Sequence, residues 1–197
     1  MQYVVLQEEV AKMMQLPCDM EMSRKSGETK VFTLRRCDES DVDAIVKLQQ
    51  DVYDALPDKS IFVKTKPEEF LESVKLDYCF CFMDGDEMAA FTLGVSGRVS
   101  YRNYGEYLDY DDEHLMKTTS MDTSFVSPKY RGFGLQKFFF ELREEAAKED
   151  GCTEAVTTIA PDNEFSLANA YKTGYEVVKT MVIYGGLKRC ILRKIFE

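Results

Sequence analysis

Arg131–Gly132–Phe133–Gly134–Leu135–Gln136 joins a guanidinium, two glycines one residue apart and the opening of an amphipathic helix. Apolar residues follow at Leu135, Phe138, Phe139, Leu142 and Ala146, one face of a 3.6-residue repeat. Glycines at a helix start leave backbone N–H groups uncovered, and the positive end of the helix dipole points the same way. Arg131 adds a fork of donors beside them. The chemistry that suits this arrangement is the holding of a phosphate-bearing ligand. A dinucleotide fold needs a third glycine three positions after the second, where Lys137 stands, and a Gly-Lys-Ser/Thr phosphate loop occurs nowhere in the chain.

The elements that must position this turn are readable from periodicity. Met121–Val126 is a predicted strand, Ser127–Tyr130 a turn, and the helix after Gly134 closes at Gly151, the place for a left-handed cap. Upstream, Val31–Arg35 reads as a strand. A helix follows from a capping-box-like start at Ser40–Asp43 and ends at Pro57, and a second starts at Thr65–Glu68 with Thr65 as its cap. Tyr78–Met83 and Met88–Ser96 read as strands joined by the tight turn Asp84–Gly85–Asp86. Gly97–Leu115 is a polar-aromatic connection. Downstream come a strand over Glu154–Ala160, a helix over Glu164–Thr173 ended by Gly174, and a hairpin of Tyr175–Tyr184 with Lys188–Phe196. Met1–Lys30 reads as a helical appendage (Val4, Val5, Leu6, Val10, Met13, Met14, Leu16) followed by a polar stretch, and 31–197 as the main domain. The order implies an α/β (α+β) chain with a mixed, mostly antiparallel central sheet and helices on both faces.

Two motifs at this separation resemble the GNAT superfamily of acyl-CoA-dependent N-acyltransferases. The first is Arg131–Gln136, similar to that family's Arg/Gln-x-x-Gly-x-Gly/Ala turn, with Gln136 in place of the last Gly or Ala. The second is Asn163–Glu164–Phe165–Ser166 followed by Gly174–Tyr175, which looks like the family's Asn-x-x-Ala/Ser helix ending in Gly-Phe/Tyr. The resemblance covers about Val31–Phe196, and the tail Tyr184–Arg189 looks like an ending recurrent in one bacterial branch. It implies acetyl-CoA as cosubstrate, with no metal. Phe125, Val126, Arg131, Gly132, Phe133, Gly134, Leu135, Gln136, Asn163 and Ser166 would be on the coenzyme. The activity implied is N-acetyl transfer to a primary amine, a small molecule before a protein, by direct transfer in a ternary complex. Tyr171 is the candidate acid for the leaving thiolate, although the family's tyrosine stands four residues before the Gly, where this chain has Ala170. Water, or a thiolate leaving unaided, is the alternative to Tyr171. A non-catalytic acyl-CoA sensor or structural module of the same fold is the rival to the enzyme, favoured by Ala170.

Tyr101, Tyr104, Tyr107 and Tyr110 recur every third residue among Glu106, Asp109, Asp111, Asp112 and Glu113. One reading is an acceptor-facing wall, with Tyr104, Tyr107 and Asp122 on the substrate and the acidic residues drawing a cationic amine. The other is a solvated loop pinned to the core by its rings. Asn163 reads both as a helix cap and as a coenzyme contact.

Composition bounds these readings. The chain has 197 residues, 45% hydrophobic and 30% charged, enough for a core without staples. A formal charge of −10 argues against nucleic acid and anionic membranes. Six cysteines without a Cys-x-x-Cys pair read as buried free thiols, Cys79 and Cys81 on one face of a strand. The single histidine, His114, excludes paired-histidine metal sites. Cys152 lies at the negative end of its helix dipole, where nothing lowers a thiol pKa, so a covalent acyl-enzyme is set aside. Glu8 and Glu9 interrupt the N-terminal apolar stretch, which argues against a secretory signal and makes the cytoplasm the expected location. A homodimer is among the partners this reading allows.

Overall fold

The computed structural model describes residues 16–196. In chain order the elements are β1 (Cys18–Ser23), β2 (Thr29–Arg36), α1 (Val42–Asp54), α2 (Pro67–Leu76), β3 (Tyr78–Asp84), β4 (Glu87–Val95), α3 (Asp112–Leu115), β5 (Thr118–Val126), α4 (Leu135–Glu149), β6 (Glu154–Ile159), α5 (Glu164–Lys172), β7 (Glu176–Ile183) and β8 (Leu187–Ile195). The strands form one sheet in the order β1-β2-β3-β4-β5-β6-β8-β7. Every pairing is antiparallel except β5 with β6. A parallel pair needs a long crossover, and α4 supplies it.

Period-two strands sort the core into layers. Tyr78, Phe80 and Phe82 of β3 face α4 through Leu135, Phe138, Phe139 and Leu142. Cys79 and Cys81 of the same strand face α1 and α2 through Ile45, Leu48, Val52 and Phe70. Beyond β5 the first face continues under α5 with Phe140, Ala170, Tyr175 and Leu192. Cys37, Cys79, Cys81 and Cys152 are buried free thiols, while Cys18 and Cys190 are half-buried.

Three local expectations shift. Cys18–Ser23, read as part of a helical appendage, is an edge strand laid antiparallel on β2. The helix expected around Val4 falls outside the described residues. The caps also move. The turn before α1 is capped by Asp38, whose side chain accepts from the Ser40 N–H at 2.8 Å, while the Asp41 carboxylate reaches back to the Asp38 N–H at 2.9 Å. At α2, Lys66 is the cap residue and Glu69 accepts from its N–H at 2.8 Å, because Thr65 is committed to Gln49 instead, its N–H donating to Oε1 at 2.8 Å. Among the described residues no helix is long and apolar enough to cross a membrane.

Candidate functional site

β5 and β6 pair only from Thr118–Glu154 to Ser120–Val156, although β5 runs on to Val126 and β6 to Ile159. Past that point the strands diverge, and at the crotch the Thr157 hydroxyl donates to the Met121 carbonyl at 2.8 Å. On its other side β5 carries a bulge. Leu93 pairs with Thr123 and Gly94 with Met121, so Asp122 is the extra residue. The bulge frees carbonyls, and Arg143 of α4 takes them. Its Nη1 donates to Leu93 O at 2.9 Å and Thr123 O at 3.3 Å, while Nε donates to Phe139 O at 3.1 Å. Arg143 is fully buried, and that burial lowers its pKa to about 10.

The glycine turn is built as the sequence implies. Gly132 and Gly134 have φ of +90° and +81°, a region that L side chains rarely enter. Gly134 is the residue before α4, and no side chain caps the helix start. The first amides of α4 therefore keep their donors free. Arg131, Gly132 and Gly134 are exposed, while the Phe133 and Leu135 side chains are buried in the core. A neighbour missing from the sequence reading is Arg24, in the turn between β1 and β2. Its guanidinium lies 4.3 Å from the Phe133 ring centroid and donates to the carbonyls of Arg131 (3.0 Å) and Lys129. Nothing in the sequence spacing links Arg24 to this turn.

A cavity of about 420 Å³ opens from the splay. It brings together Gln136, Asn163 and Ser166 from the expected coenzyme set with Tyr104, Tyr107 and Asp122 from the expected substrate set. Asn163 also caps α5, accepting from the Ser166 N–H at 3.1 Å, so both readings of it stand on its position. Gln136 accepts from Asn169 Nδ2 at 3.2 Å. Phe125 is wholly buried against Phe62, Phe70 and Phe91, and Val126 packs on the α4 side, which leaves their backbones alone for a ligand.

Tyr171, the candidate acid, lies near the end of α5. It is 53% exposed and does not line the cavity, while Ala170, one step of about 100° round the helix, is fully buried. The acidic cluster lies apart from Tyr104, Tyr107 and Asp122. Asp109, Asp111, Asp112 and Glu113 lie outside the cavity lining. Asp109 faces Lys179 at 3.5 Å, Asp111 accepts from the His114 N–H, and Glu113 pairs with Lys117. Tyr110 likewise turns away to stack on His114 at 3.6 Å, and His114 Nε2 contacts Glu154 at 3.0 Å. Cys152 is buried and burial pushes its thiol pKa up, the opposite of a nucleophile's environment.

Residues that the sequence reading missed fill the rest of the lining. Asp122 accepts from Arg102 Nη2 at 2.6 Å and from the Tyr104 hydroxyl at 2.9 Å. Burial opposes the Arg102 charge and Asp122 outweighs it, so the Arg102 pKa is raised. Tyr104 stacks on Tyr107 with ring centroids 5.7 Å apart, and burial pushes both phenols up. Tyr184 and Arg189, from the glycine hairpin tail, close the far side with Phe62 and Tyr101. The lining holds four basic residues (Lys64, Arg102, Arg143, Arg189) and two acidic ones (Glu69, Asp122), in a chain of net charge −10.

No family model matches the chain, and no curated protein is similar to it in sequence. Solved structures are similar to it in fold. The acetyltransferase of GNAT family from Streptococcus pneumoniae aligns with a TM-score of 0.64, covering 84% of this chain and 99% of its own, at 11% identity. This chain has the GNAT fold. Other structures of the GNAT fold hold ligands. The yncA structure from Salmonella typhimurium was solved with its cofactor acetyl-CoA (TM-score 0.62, 16% identity, 84% of this chain, 94% of its own). The PaiA N-acetyltransferase from Thermoplasma acidophilum is in complex with coenzyme A (TM-score 0.59, 11% identity, 84% and 99%). At such identities the GNAT likeness speaks to architecture, and chemistry must be argued from the site.

Proposed function

We propose that the protein is an acetyl-CoA-dependent N-acetyltransferase acting on a primary amine, a small molecule before a protein, by direct transfer in a ternary complex. One observation carries this reading: Gln136 belongs both to the uncapped start of α4 and to the cavity wall, so the anion-holding turn leads into the splay of β5 and β6. The residues present fit the coenzyme. Amides of Gly132–Gln136 and the Arg131 guanidinium would hold its pyrophosphate, and the unpaired edge of β5 from Met121 onward would take the pantetheine arm.

When bound, acetyl-CoA supplies a thioester whose carbonyl carbon accepts the amine lone pair, forming C–N as C–S breaks, with the ammonium proton lost and the thiolate gaining one. The chain's own part is to hold the amine in line with that carbon and to keep positive charge under it. Arg143 lies beneath the bulge with its charge unpaired by any carboxylate hydrogen bond among the described residues. Asp122 and Glu69 are the two carboxylates of the lining and the candidates for relaying the ammonium proton. With Tyr171 outside the cavity, the thiolate proton is assigned to water entering the open cleft.

Calorimetry with coenzyme A, followed by a thioester-consumption assay across a broad amine panel, tests the reading. Binding with turnover supports it, and absence of binding to folded protein overturns it. Binding without turnover selects the acyl-CoA sensor, which the buried Ala170 and the exposed Tyr171 favour.

A further inference from the structure

Arg189 is 4% exposed and lines the cavity, yet both its hydrogen bonds go to backbone carbonyls: Nη1 to Lys188 O at 2.9 Å and Nη2 to Ser60 O at 2.8 Å. Burial lowers its pKa, the mark of a guanidinium taken out of water without a compensating carboxylate. A guanidinium has five N–H donors, and two are engaged here. The carboxylates of this end of the cavity already have donors. Asp122 is held by Arg102 and Tyr104, and Glu69 accepts from the Tyr101 hydroxyl at 3.1 Å and the Lys66 N–H at 2.8 Å. Lys64 turns aside to Gln50 Oε1 at 2.7 Å and the Tyr53 ring at 4.0 Å. Lys64, Arg143 and Arg189 thus lack a carboxylate partner among the described residues, and Arg189 is the one that lies against Tyr184.

Its contacts are with Ser60, Lys188 and Tyr184 and include none of the glycine turn. The Tyr184 ring centroid is 5.8 Å from its guanidinium carbon. The glycine turn and Gln136 lie at the start of α4, with Asn163 and Ser166 at the start of α5. We infer that the amine acceptor also carries a carboxylate, bound by Arg189 beside the tyrosine wall of Tyr104, Tyr107 and Tyr184. Arg189 is a specificity-determining residue that selects amino acids over plain amines. This rests on the transferase reading and narrows its acceptor class. An Arg fork pairs with a carboxylate through two parallel bonds, a geometry that neither an amide nor a hydrogen-capped amine can repay.

The test is calorimetric titration of matched acceptors into protein saturated with coenzyme A: phenylalanine, phenylalaninamide and phenethylamine, then leucine, leucinamide and isoamylamine, with N-acetylphenylalanine as a product ligand. Carboxylates are expected to bind about 10- to 100-fold more tightly than their amides, the range of a charge-assisted hydrogen bond. In Arg189→Gln that ratio is expected to fall to about one with coenzyme A affinity unchanged, and Arg189→Lys to keep part of it. Equal binding of acids, amides and amines, or a preference that survives in Arg189→Gln, overturns the inference and leaves the transferase reading standing. Failure of coenzyme A itself to bind overturns both. Should Arg189→Gln not fold, the wild-type ratio and Arg189→Lys decide.

Discussion

The Arg102 guanidinium meets the Asp122 carboxylate at 2.6 Å, and Asp122 is the residue that the bulge in β5 leaves without a ladder partner. The bulge turns the carboxylate into the cavity, and Arg102, buried on Ser73 and the Glu69 carbonyl, holds it there. Asp122→Ala would leave a buried guanidinium without its counter-charge. A loss of about 3 kcal/mol in urea unfolding is expected, the scale of breaking a buried pair. A change under about 1 kcal/mol would show that the carbonyl and Ser73 suffice for Arg102.

The glycine turn is where the proposed coenzyme binding can be tested. Arg131→Glu is expected to weaken coenzyme A by about 1.5–3 kcal/mol through loss of a charge-assisted bond. Gly134→Val is expected to remove binding, because the residue sits at φ +81° and faces the approach to the α4 amides. Circular dichroism separates this from unfolding, and normal calorimetry on either variant would put the ligand elsewhere.

Tyr171 is expected to be silent. It is more than half exposed and off the cavity wall, so Tyr171→Phe should leave turnover within about twofold. A drop of about 100-fold, the scale of a general acid, would show that the helix rotates or shifts when the coenzyme binds.

Two carboxylates pull stability in opposite directions with pH. Burial raises the Glu144 pKa above 4.5, against the pull of Lys194, so its contribution is full below that value and fades as pH rises through the folded pKa. Asp41 is lowered below 3.8 by the two-pronged Arg35 contact, and its contribution stands above that value and is lost as pH falls. Glu144 Oε1 and the Tyr175 hydroxyl are both buried near one another outside hydrogen-bond geometry among the described residues, which adds to the burden of an ionised Glu144. Urea titrations should show Glu144→Gln gaining on the wild type as pH rises from about 4 to 7. Asp41→Asn should trail the wild type by a steady amount above about pH 5 and close that gap as pH falls below about 4. A Glu144→Gln difference that stays flat from about pH 4 to 7, or an Asp41→Asn gap that survives in acid, would remove that group from the pH response.

Much of the architecture was legible in the sequence because it rests on local rules. The spacing of Leu135, Phe138, Phe139 and Leu142 predicts α4, and the structure buries those four side chains against β3. The alternation in Tyr78–Met83 puts Cys79 and Cys81 together opposite the tyrosine and phenylalanines, as the sheet does. Gly132 and Gly134 announce a turn that only positive φ can make. β1 alternates at every position, Cys18, Met20 and Met22 half-buried and Asp19, Glu21 and Ser23 exposed, yet it is short and adjoins a helical-looking run, and an edge strand takes half its definition from the partner it pairs with.

From the sequence alone came the anion-holding turn, the element order and the candidates Tyr104, Tyr107 and Asp122, since each depends on residue types at fixed short spacing. Only the tertiary structure decided which side chains share a space. Arg24 reaches Arg131 across 107 positions, Arg189 reaches Ser60 across 129, and Tyr171 is turned from the cavity by a single helical step. The sign of the charge on the cavity wall was decided there too. The acidic loop that the sequence places near β5 faces other lysines, and the cavity wall is basic, because chain proximity does not set which way a side chain points once the sheet and its loops have packed.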